Sequence, residues 1–531
     1  MPQNSAPPSP VAVPATLAQP VVAPLHGPWP AISLWGRRWP GPGRPASPAT
    51  VGALTGAAVV AALSIPLDRA GIGWLVTAFA GLIALTLARR LTSPPSTPLT
   101  AWQPERVALA RLGWERYAWS VATVALLGVG TLRAAGWLFL LCLATAVGTT
   151  TLAVTGGRSL RAMVVALLLA LVAPLRALPW VVRGAGGLSR GKPAGLQVPR
   201  VVATVAVSLI LLLVFGGLFA SADAAFADVL SRAVPDINAG TVIRWIFVFV
   251  VAGGLLGGSA FLRAAPPDLS GLPGRGKRRV AAFEWAVPLG LLVTLFAAFV
   301  GVQLAVLFGG SRHVLDTAGL TYADYARGGF WQLAVVTGLT LLVIAGAARW
   351  APRETRGERT LIRVLLGSLA GLTLVIVSSA LHRMDLYSDT YGLTRLRLLV
   401  AACELWLGVV VLLVLVAGVK LRGDWVPRVA VAVGVFALLG LAAANPDGLI
   451  AERNVTRYQQ QHRIDRAYLA GLSVDAVPAL NRLPADVRDC VLPGIDRYDD
   501  PDDWRGWNYG RERARDILKD HPWTYQPDCI S

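Results

Sequence analysis

The sequence predicts an all-α membrane protein with about eleven transmembrane helices, one re-entrant or interfacial helix, and a small helical extracytoplasmic domain at its C-terminus. Of the 531 residues, 54% are hydrophobic and only 15% are charged, whereas a soluble protein of this size carries roughly 25% charged residues. Long runs without charge recur between residues 49 and 445, and a helix of about 20 apolar residues is long enough to cross a bilayer. Lys and Arg are concentrated in alternate short loops. These observations exclude an ordinary cytosolic enzyme and make the lipid bilayer the first partner of the chain.

The N-terminal segment, residues 1–48, is predicted to be a disordered cytoplasmic tail. It contains 13 prolines together with many Ala, Ser and Gly residues, and such a composition does not support a packed core. Arg37, Arg38 and Arg44 precede the first predicted span. They favour a cytoplasmic location, because positively charged flanking segments stay inside.

Eleven spans are predicted, and the charges of their loops predict the orientation. The spans are residues 49–66, 71–88, 117–132, 135–154, 201–220, 241–262, 284–308, 331–347, 364–382, 398–419 and 428–445. The loops assigned to the inside, with the N-terminal Arg cluster, carry 27 Lys and Arg residues, and the five outer loops carry about eight. This asymmetry predicts a multi-pass protein of the plasma membrane with its N-terminus in the cytoplasm and its C-terminus outside.

Residues 163–182 do not fit this alternation. They are apolar but contain Pro174, Arg176 and Pro179, and both flanks are basic. A helix with two inside ends does not span, so the segment is predicted to be re-entrant or interfacial. If it does span, the count becomes twelve and part of the orientation reverses.

The tail, residues 446–531, is predicted to form a small extracytoplasmic domain of two to four short helices. It carries 12 Lys and Arg residues against 15 Asp and Glu residues. Cys490 and Cys529 lie in this tail and are candidates for a disulfide if the tail is outside the cytoplasm. Its small size and mixed charge suit contact with an envelope protein partner.

The formal net charge of +18 does not indicate nucleic-acid binding. The tail contributes −3 (12 basic against 15 acidic residues), so the rest of the chain carries +21, and the insertion bias of short loops explains that excess. The five histidines are scattered and no CxxC occurs, so the sequence predicts neither a metal site nor a cofactor.

The candidate functional residues cluster in two predicted outer loops, at 309–330 and 383–397. Tyrosine and arginine side chains together stack on sugars and bridge to phosphate groups, but they also anchor helices at the membrane interface, and both interpretations remain open. The candidates are Tyr322, Asp324 and Arg327 in the first loop, and His382, Arg383, Asp385, Tyr391, Arg395 and Arg397 in or beside the second.

Glu404 is the most informative single residue, because it lies inside the predicted span 398–419. A carboxylate at that depth costs at least a few kcal/mol unless it is paired or faces water. Three interpretations are open. They are a proton-coupling or catalytic carboxylate, a structural ion pair with Arg397, Arg383 or His382, and a shallow, solvated position.

Several stretches of the second half resemble one uncharacterised bacterial family. They are Leu320-Thr-Tyr-Ala-Asp-Tyr-Ala-Arg-Gly-Gly-Phe-Trp331-Gln-Leu, Tyr391-Gly-Leu-Thr-Arg-Leu-Arg397, Asn445-Pro-Asp-Gly-Leu-Ile-Ala-Glu-Arg-Asn454, Tyr468-Leu and Leu472-Ser-Val-Asp-Ala-Val-Pro-Ala-Leu480. Over about residues 200–500 they are similar to the domain-of-unknown-function 4173 family of polytopic membrane proteins. The resemblance implies a membrane location and supplies no catalytic residues.

The leading functional hypothesis is a non-enzymatic cell-envelope or signalling component that uses its tail for docking. One alternative is a transporter or flippase for a lipid or envelope precursor, which the number of spans and the intramembrane Gln303 and Glu404 favour. The other is a membrane-embedded transferase acting on a lipid-linked substrate. The short first outer loop, residues 67–70, disfavours this transferase.

Overall fold

The computed structural model describes Trp39 and residues 41–92, 105–157, 160–187, 239–267, 281–308, 330–352, 354–495, 503–524 and 529, with single positions between 208 and 223. Every regular element in these residues is helical. The helices before the tail are α1 (Pro48–Ser64), α2 (Ile72–Thr92), α3 (Glu105–Leu132), α4 (Gly136–Thr155), α5 (Leu160–Gly187), α6 (Ala239–Ala264), α7 (Ala282–Phe308), α8 (Phe330–Trp350), α9 (Arg356–Tyr391), α10 (Arg395–Lys420) and α11 (Val426–Ala443).

Local sequence signals explain where several helices begin. The Ser47 hydroxyl accepts a hydrogen bond from the Thr50 amide at the start of α1, and Pro48 occupies the first turn, where its missing N–H costs nothing. At the start of α9, the Thr355 and Glu358 side chains accept hydrogen bonds from each other's main-chain amides. This reciprocal arrangement is a capping box.

Two groups of helices form the bundle. In the first group, α1, α2, α4, α5 and α6 share an apolar core that includes Leu85 and Phe261. In the second group, α7 to α10 share a core that includes Phe296 and Leu369. Helix α11 connects the groups, because it packs against α10 and also against α3 and α4.

The apolar helices support the predicted fold class. Nine of the described helices are long and apolar enough to cross a membrane, and eight of these overlap predicted spans. The predicted span 49–66 corresponds to α1, which has 17 residues, and 117–132 is the second half of α3. The predicted span 201–220 lies mostly outside the described residues. The chain is therefore a helical membrane protein, and the count of eleven stays a prediction.

The segment predicted to be disordered extends too far. Residues 1–38 lie outside the described residues, but Trp39 is buried and its indole Nε1 donates to the Ala265 carbonyl at 3.0 Å. The Trp180 indole donates to the Arg44 carbonyl at 3.0 Å. The boundary at residue 48 is wrong because proline-rich backbone packs well when aromatic side chains from elsewhere in the chain cover it.

Helix α5 contains the segment predicted to be re-entrant or interfacial. It is continuous over 28 residues, and by length and composition it is one of the nine candidate spans. Both of its ends nevertheless lie at one end of the bundle. Ala162 lies beside Gly157 after the end of α4, and Trp180 contacts Arg44 before the start of α1. These contacts favour the interfacial position, which stays a prediction.

The tail continues directly from α11. Its elements are α12 (Pro446–Gln461), α13 (Arg466–Ala470), a 3-10 turn (Val474–Ala476), α14 (Val477–Leu480), α15 (Ala485–Ile495) and α16 (Tyr509–Asp520). Five helices exceed the predicted two to four, since single-turn helices such as α13 and α14 are too short to show a hydrophobic period. Buried Ile450, Leu480 and Leu492 belong to one shared core. Cys490 and Cys529, the predicted candidates, are joined by a disulfide.

Candidate functional site

The centre of the candidate site is an ion pair between Arg395 and Asp447. Thr394 caps α10, which places Arg395 in its first turn, and Asn445 caps α12, which places Asp447 in its first turn. The Arg395 guanidinium donates through Nε to Asp447 Oδ1 at 2.9 Å and through Nη2 to Oδ2. The Asp447 side chain is fully buried, whereas one third of the Arg395 side chain is exposed.

Two further donors hold the Asp447 carboxylate. The Trp137 indole on α4 donates to Oδ1 at 3.1 Å, and the Ser473 amide donates to Oδ2 at 2.8 Å. Burial opposes ionisation of this carboxyl, but the hydrogen bonds and charge of Arg395 outweigh burial and lower the pKa of Asp447 below its ordinary value. The ionised carboxylate therefore ties α4, α10 and the tail together.

A second buried carboxylate, Asp475, caps the start of α4. Ala135 precedes that helix and has no side-chain hydrogen bond to offer as a cap. Instead, Oδ2 of Asp475 accepts from the Ala134 amide at 2.8 Å and from the Ala135 amide at 3.1 Å. Burial raises the pKa of Asp475 above its ordinary value, although these amides and the nearby Arg133 charge oppose the shift.

Polar side chains join the tail and α11 to the turns between the first four helices. Arg133, in the turn before α4, donates to the Ala442 carbonyl at the end of α11 at 2.6 Å. Asn508 donates to the Gly130 carbonyl at 2.8 Å, and Arg511 donates to the Ala70 carbonyl at 2.7 Å. The tail and the turns at 65–71, 133–135 and 392–394 therefore lie at one end of the bundle, which we name the platform end. The described parts of the tail, residues 446–495 and 503–524, are together named the platform.

The turn between α9 and α10 is also held by the platform. Asn454 on α12 donates to the Leu393 carbonyl at 2.9 Å, and the Tyr468 hydroxyl accepts from the Arg395 amide at 2.6 Å. Gly392 has a φ of +84°, and a Cβ added there would lie 2.3 Å from Asn454 Oδ1. Only glycine tolerates both the positive φ and this close approach.

Most of the predicted outer loop 383–397 is helical, which corrects the prediction. Helix α9 continues to Tyr391 and α10 begins at Arg395, so His382, Arg383 and Asp385 lie on the last three turns of α9. Hydropathy falls after residue 382 because the helix leaves its apolar stretch, and the helix itself does not end there.

A polar cleft lies between this end of α9 and α12. It encloses about 770 Å³, and its lining includes Asp385, Asp389, Arg397, Glu452, Arg453 and Arg457. The Arg397 guanidinium lies 4.3 Å from the centroid of the Tyr387 ring, and the Tyr387 and Tyr391 rings are 4.8 Å apart. The structure thus places two predicted candidates, Asp385 and Arg397, in one cleft of mixed charge.

Glu404 lies apart from this cleft, and its predicted ion pair with Arg397 does not form. Arg397 donates to the Gly392 carbonyl instead. The Glu404 side chain is only 3% exposed, and neither carboxyl oxygen has a hydrogen-bond partner among the described residues. The side-chain amide of Gln303 on α7 is also buried, and neither its oxygen nor its nitrogen has a hydrogen-bond partner among the described residues.

Part of the predicted site is not described. Tyr322, Asp324 and Arg327 lie outside the described residues, as does most of their loop. Across the described ranges, no group of three or more His, Cys, Asp or Glu side chains is arranged to hold a metal ion. The sequence alone does not single out Asp447 and Asp475, the two buried carboxyl groups of the platform end, because an Asp at a helix start is typical of a local cap.

The comparisons with known proteins identify an uncharacterised family. A family model described as Domain of unknown function (DUF4153) matches residues 121–483, a range that includes Arg395, Asp447 and Asp475. The resemblance to the domain-of-unknown-function 4173 family is not confirmed. No curated protein and no solved structure matches the chain. Because the match covers more than half of the sequence, the chain belongs to the DUF4153 family of proteins.

Proposed function

We propose that this chain is a non-enzymatic component of the cell envelope that presents the platform to a protein partner. The observation that carries this proposal is the set of buried polar contacts that join the platform to the turns at 65–71, 133–135 and 392–394. The partly buried Arg395 and the buried side chains of Asp447 and Asp475 hold the platform in place. A surface that is rigid before binding loses less conformational entropy when a partner docks.

The polar cleft supplies the docking surface in this proposal. It carries acidic and basic side chains within one concave region, which suits an extended polar segment of an envelope protein better than an apolar ligand. Arg453 and Asp389 line it and are more than half exposed, at a separation of 3.7 Å. Such a weak surface pair exchanges readily for contacts to a partner.

The proposed orientation places the platform outside the plasma membrane and the N-terminus in the cytoplasm. The Cys490–Cys529 disulfide supports it, because disulfides persist in oxidising compartments. The opposite end of the bundle supports it too, since Arg89 at the end of α2 and Arg263 at the end of α6 lie there and basic loops stay inside.

Thiol labelling of intact cells tests the orientation. Single cysteines at Glu452, on the platform, and at Lys420, at the other end, are introduced after Cys142 and Cys403 are replaced by Ala. An impermeant maleimide should label the Glu452→Cys chain in intact cells and the Lys420→Cys chain only after lysis. The reverse pattern would contradict the orientation and the docking proposal with it.

Photo-crosslinking in cells tests the docking. A photoreactive residue at Gln460, in the cleft, should give one discrete adduct with an envelope protein. The same residue at Lys519, an exposed position on α16, should not. Charge reversal by Arg453→Glu should reduce the Gln460 adduct at least about tenfold. Equal adducts at both positions, or a yield unaffected by Arg453→Glu, would contradict the proposal.

A transporter or flippase is the second candidate function, and one observation favours it. Glu404 and Gln303 are buried in apolar helices without hydrogen-bond partners among the described residues, and polar groups at such depth commonly mark a substrate or ion pathway. A deletion strain complemented with Glu404→Gln, with Gln303→Leu or with the intact chain tests it by envelope mass spectrometry. A lipid or precursor that accumulates and is cleared only by the intact chain would favour a transporter or a membrane-embedded transferase over a docking component.

A further inference from the structure

An apolar cavity lies between α2, α3, α4 and α6, away from the polar cleft. It encloses about 410 Å³ and extends from Trp74, near the platform end, to Leu85 and Arg263 at the other end. Trp74 and Leu85 are eleven residues apart on α2, so the cavity follows about 16 Å of helix axis. The hydrocarbon core of a bilayer is about 30 Å thick in total. The cavity therefore has a length comparable with one leaflet of that core.

Three threonines that line the cavity use their hydroxyls within their own helices. The hydroxyls of Thr77, Thr123 and Thr151 each donate to a carbonyl one turn earlier in their own helices. Their methyl groups contribute to the cavity wall. The surface that a ligand would contact is therefore almost entirely hydrocarbon. A hydrocarbon chain is the chemical class that such a wall binds.

The cavity also opens sideways. Phe247, Val251 and Leu255 on α6 line it, and each of these side chains is more than one third exposed. In a membrane-embedded chain this exposed face of α6 contacts lipid, so an acyl chain reaches the cavity without passing through water.

Arginines gather at the end of the cavity opposite the platform, which we name the basic end. Arg263 lines the cavity and donates to the Leu85 carbonyl at 3.3 Å. Among the described residues, Arg116 and Arg89 are close enough for their positive charges to act on Arg263. The Arg116 side chain lies against Gly156 at the end of α4, and its Nε is buried with no hydrogen-bond partner in the described part of the chain. Such a cluster is stabilised when an anion is bound between the guanidinium groups.

We propose that this cavity and the arginine cluster form one site for an anionic phospholipid. An acyl chain lies in the cavity between α2, α3, α4 and α6, and the phosphate contacts Arg116 and Arg263 at the basic end. Basic pockets between transmembrane helices recognise phospholipid headgroups in this way. The site is separate from the polar cleft, so its test does not depend on the docking proposal.

Native mass spectrometry of the purified full-length chain tests the site. The protein is reconstituted with equal amounts of phosphatidylglycerol and phosphatidylcholine that carry identical acyl chains, and retained lipids are counted after mild activation. We expect phosphatidylglycerol to be retained at least about tenfold better. Equal retention of the two lipids would overturn the proposal.

Two kinds of variant separate headgroup recognition from chain binding. The double variant Arg116→Gln, Arg263→Gln should reduce the preference to within about twofold, whereas Arg349→Gln, which removes a cation from the last turn of α8, should leave it unchanged. Ala78→Phe fills the cavity and should abolish retention of both lipids. The control Ala298→Phe, on the exposed face of α7, should not.

Inorganic phosphate distinguishes a lipid from a free anion. If phosphate at millimolar concentration displaces phosphatidylglycerol and Ala78→Phe has no effect, the site binds free phosphate and the lipid proposal is wrong. If the double variant is not monodisperse by size exclusion, Ala78→Phe against Ala298→Phe decides the outcome, since those changes leave every charge in place.

Discussion

The two ends of the helix bundle use arginine differently. At the platform end, Arg395 lies against the buried carboxylate of Asp447, which belongs to another helix 52 residues away. At the basic end, Arg263 lies in the field of Arg116 and Arg89, two further cations. Paired arginines cross-link distant parts of the chain, whereas gathered arginines form a site for an external anion. Arginine therefore stabilises the fold at one end and belongs to the proposed ligand site at the other.

This comparison predicts opposite consequences of removing charge at the two ends. Removing one partner of a buried ion pair leaves the other uncompensated, and the free energy of unfolding falls strongly. Among the described residues, the charge that acts on Arg116 is that of Arg89, which is also positive, so removing the Arg116 charge should change the stability little. Five measurements test the contrast, in decreasing order of expected effect.

The largest effect is expected for Asp447→Ala. The change leaves Arg395 without its carboxylate and removes the acceptor of Trp137 and Ser473, so the free energy of unfolding should fall by about 3–5 kcal/mol. Thermal unfolding of the purified chain and limited proteolysis of the platform measure it. The matched control Glu452→Gln breaks the exposed pair with Arg482 and should change stability by less than about 0.5 kcal/mol. Equal effects of the two changes would contradict a structural role for the buried pair.

The next largest effect is expected for loss of the disulfide. Cys490 and Cys529 are 39 residues apart in sequence, and closing a loop of that size restricts the unfolded chain by up to about 4 kcal/mol. Cys490→Ser should therefore destabilise the platform, as followed by proteolysis with and without reductant. Reductant should have no further effect on the variant. If reductant destabilises the variant as much as it destabilises the wild type, the disulfide is not the cause of the loss of stability.

A smaller effect is expected for Asp475→Ala. It leaves the Ala134 and Ala135 amides at the start of α4 without an acceptor, which costs about 2 kcal/mol. Asp475→Asn keeps a carbonyl oxygen for these amides and should cost less than half as much. Unfolding in denaturant measures both variants, and an Asn variant as unstable as the Ala variant would show that the charge itself is required.

Arg116→Gln, at the basic end, should change the free energy of unfolding by less than about 1 kcal/mol and in the stabilising direction. Thermal unfolding in detergent without added anionic lipid measures it, with Arg349→Gln as the control. A loss as large as that of Asp447→Ala would show that Arg116 is a structural residue and would remove the contrast between the two ends.

The smallest effect is a pH dependence with opposite signs for the two buried carboxyls. The pKa of Asp447 is lowered below 3.8, so its ion pair stabilises the fold above that pH and is lost as the pH falls through the folded pKa. The pKa of Asp475 is raised above 3.8. The folded state therefore binds its proton more tightly, and this carboxyl contributes stability that increases as the pH falls from the folded pKa to 3.8.

Comparison of the wild type with Asp475→Asn isolates the second carboxyl. On acidification from neutral pH towards 4, the melting temperature of the wild type should rise relative to the variant, because only the wild type gains the proton on Asp475. A constant difference between the two across this range would contradict the raised pKa.

Much of the helix content follows directly from the sequence. Eight of the predicted spans coincide with apolar helices such as α4 and α10, because a run of about 20 apolar residues has few alternatives in a bilayer. The predicted helix ends are less accurate than the predicted helices themselves. The predicted loop 383–397 is mostly helix, since hydropathy reports the edge of the apolar layer and carries no information about where hydrogen bonding stops.

The contacts of the candidate site could not be predicted. Asp475 and Ala135 are 340 residues apart and Asn508 and Gly130 are 378 residues apart, and no local pattern links such pairs. Arg397 and Glu404, which share a helix face by spacing, do not pair, because Arg397 reaches the Gly392 carbonyl in the preceding turn. Spacing along one helix identifies neighbours only when nothing nearer competes.

By itself, the sequence determined that this chain is a helical membrane protein with a polar tail that carries two cysteines, because composition and charge bias act over whole segments. Only the tertiary structure decided that Asp447 and Asp475 hold that tail against the bundle, and that Arg263 lines an apolar cavity at the end of the bundle where Arg116 also lies. The physical reason is range. Burial of apolar segments depends on each segment alone, whereas ion pairs, caps and cavities require groups from distant helices to meet within a few ångströms.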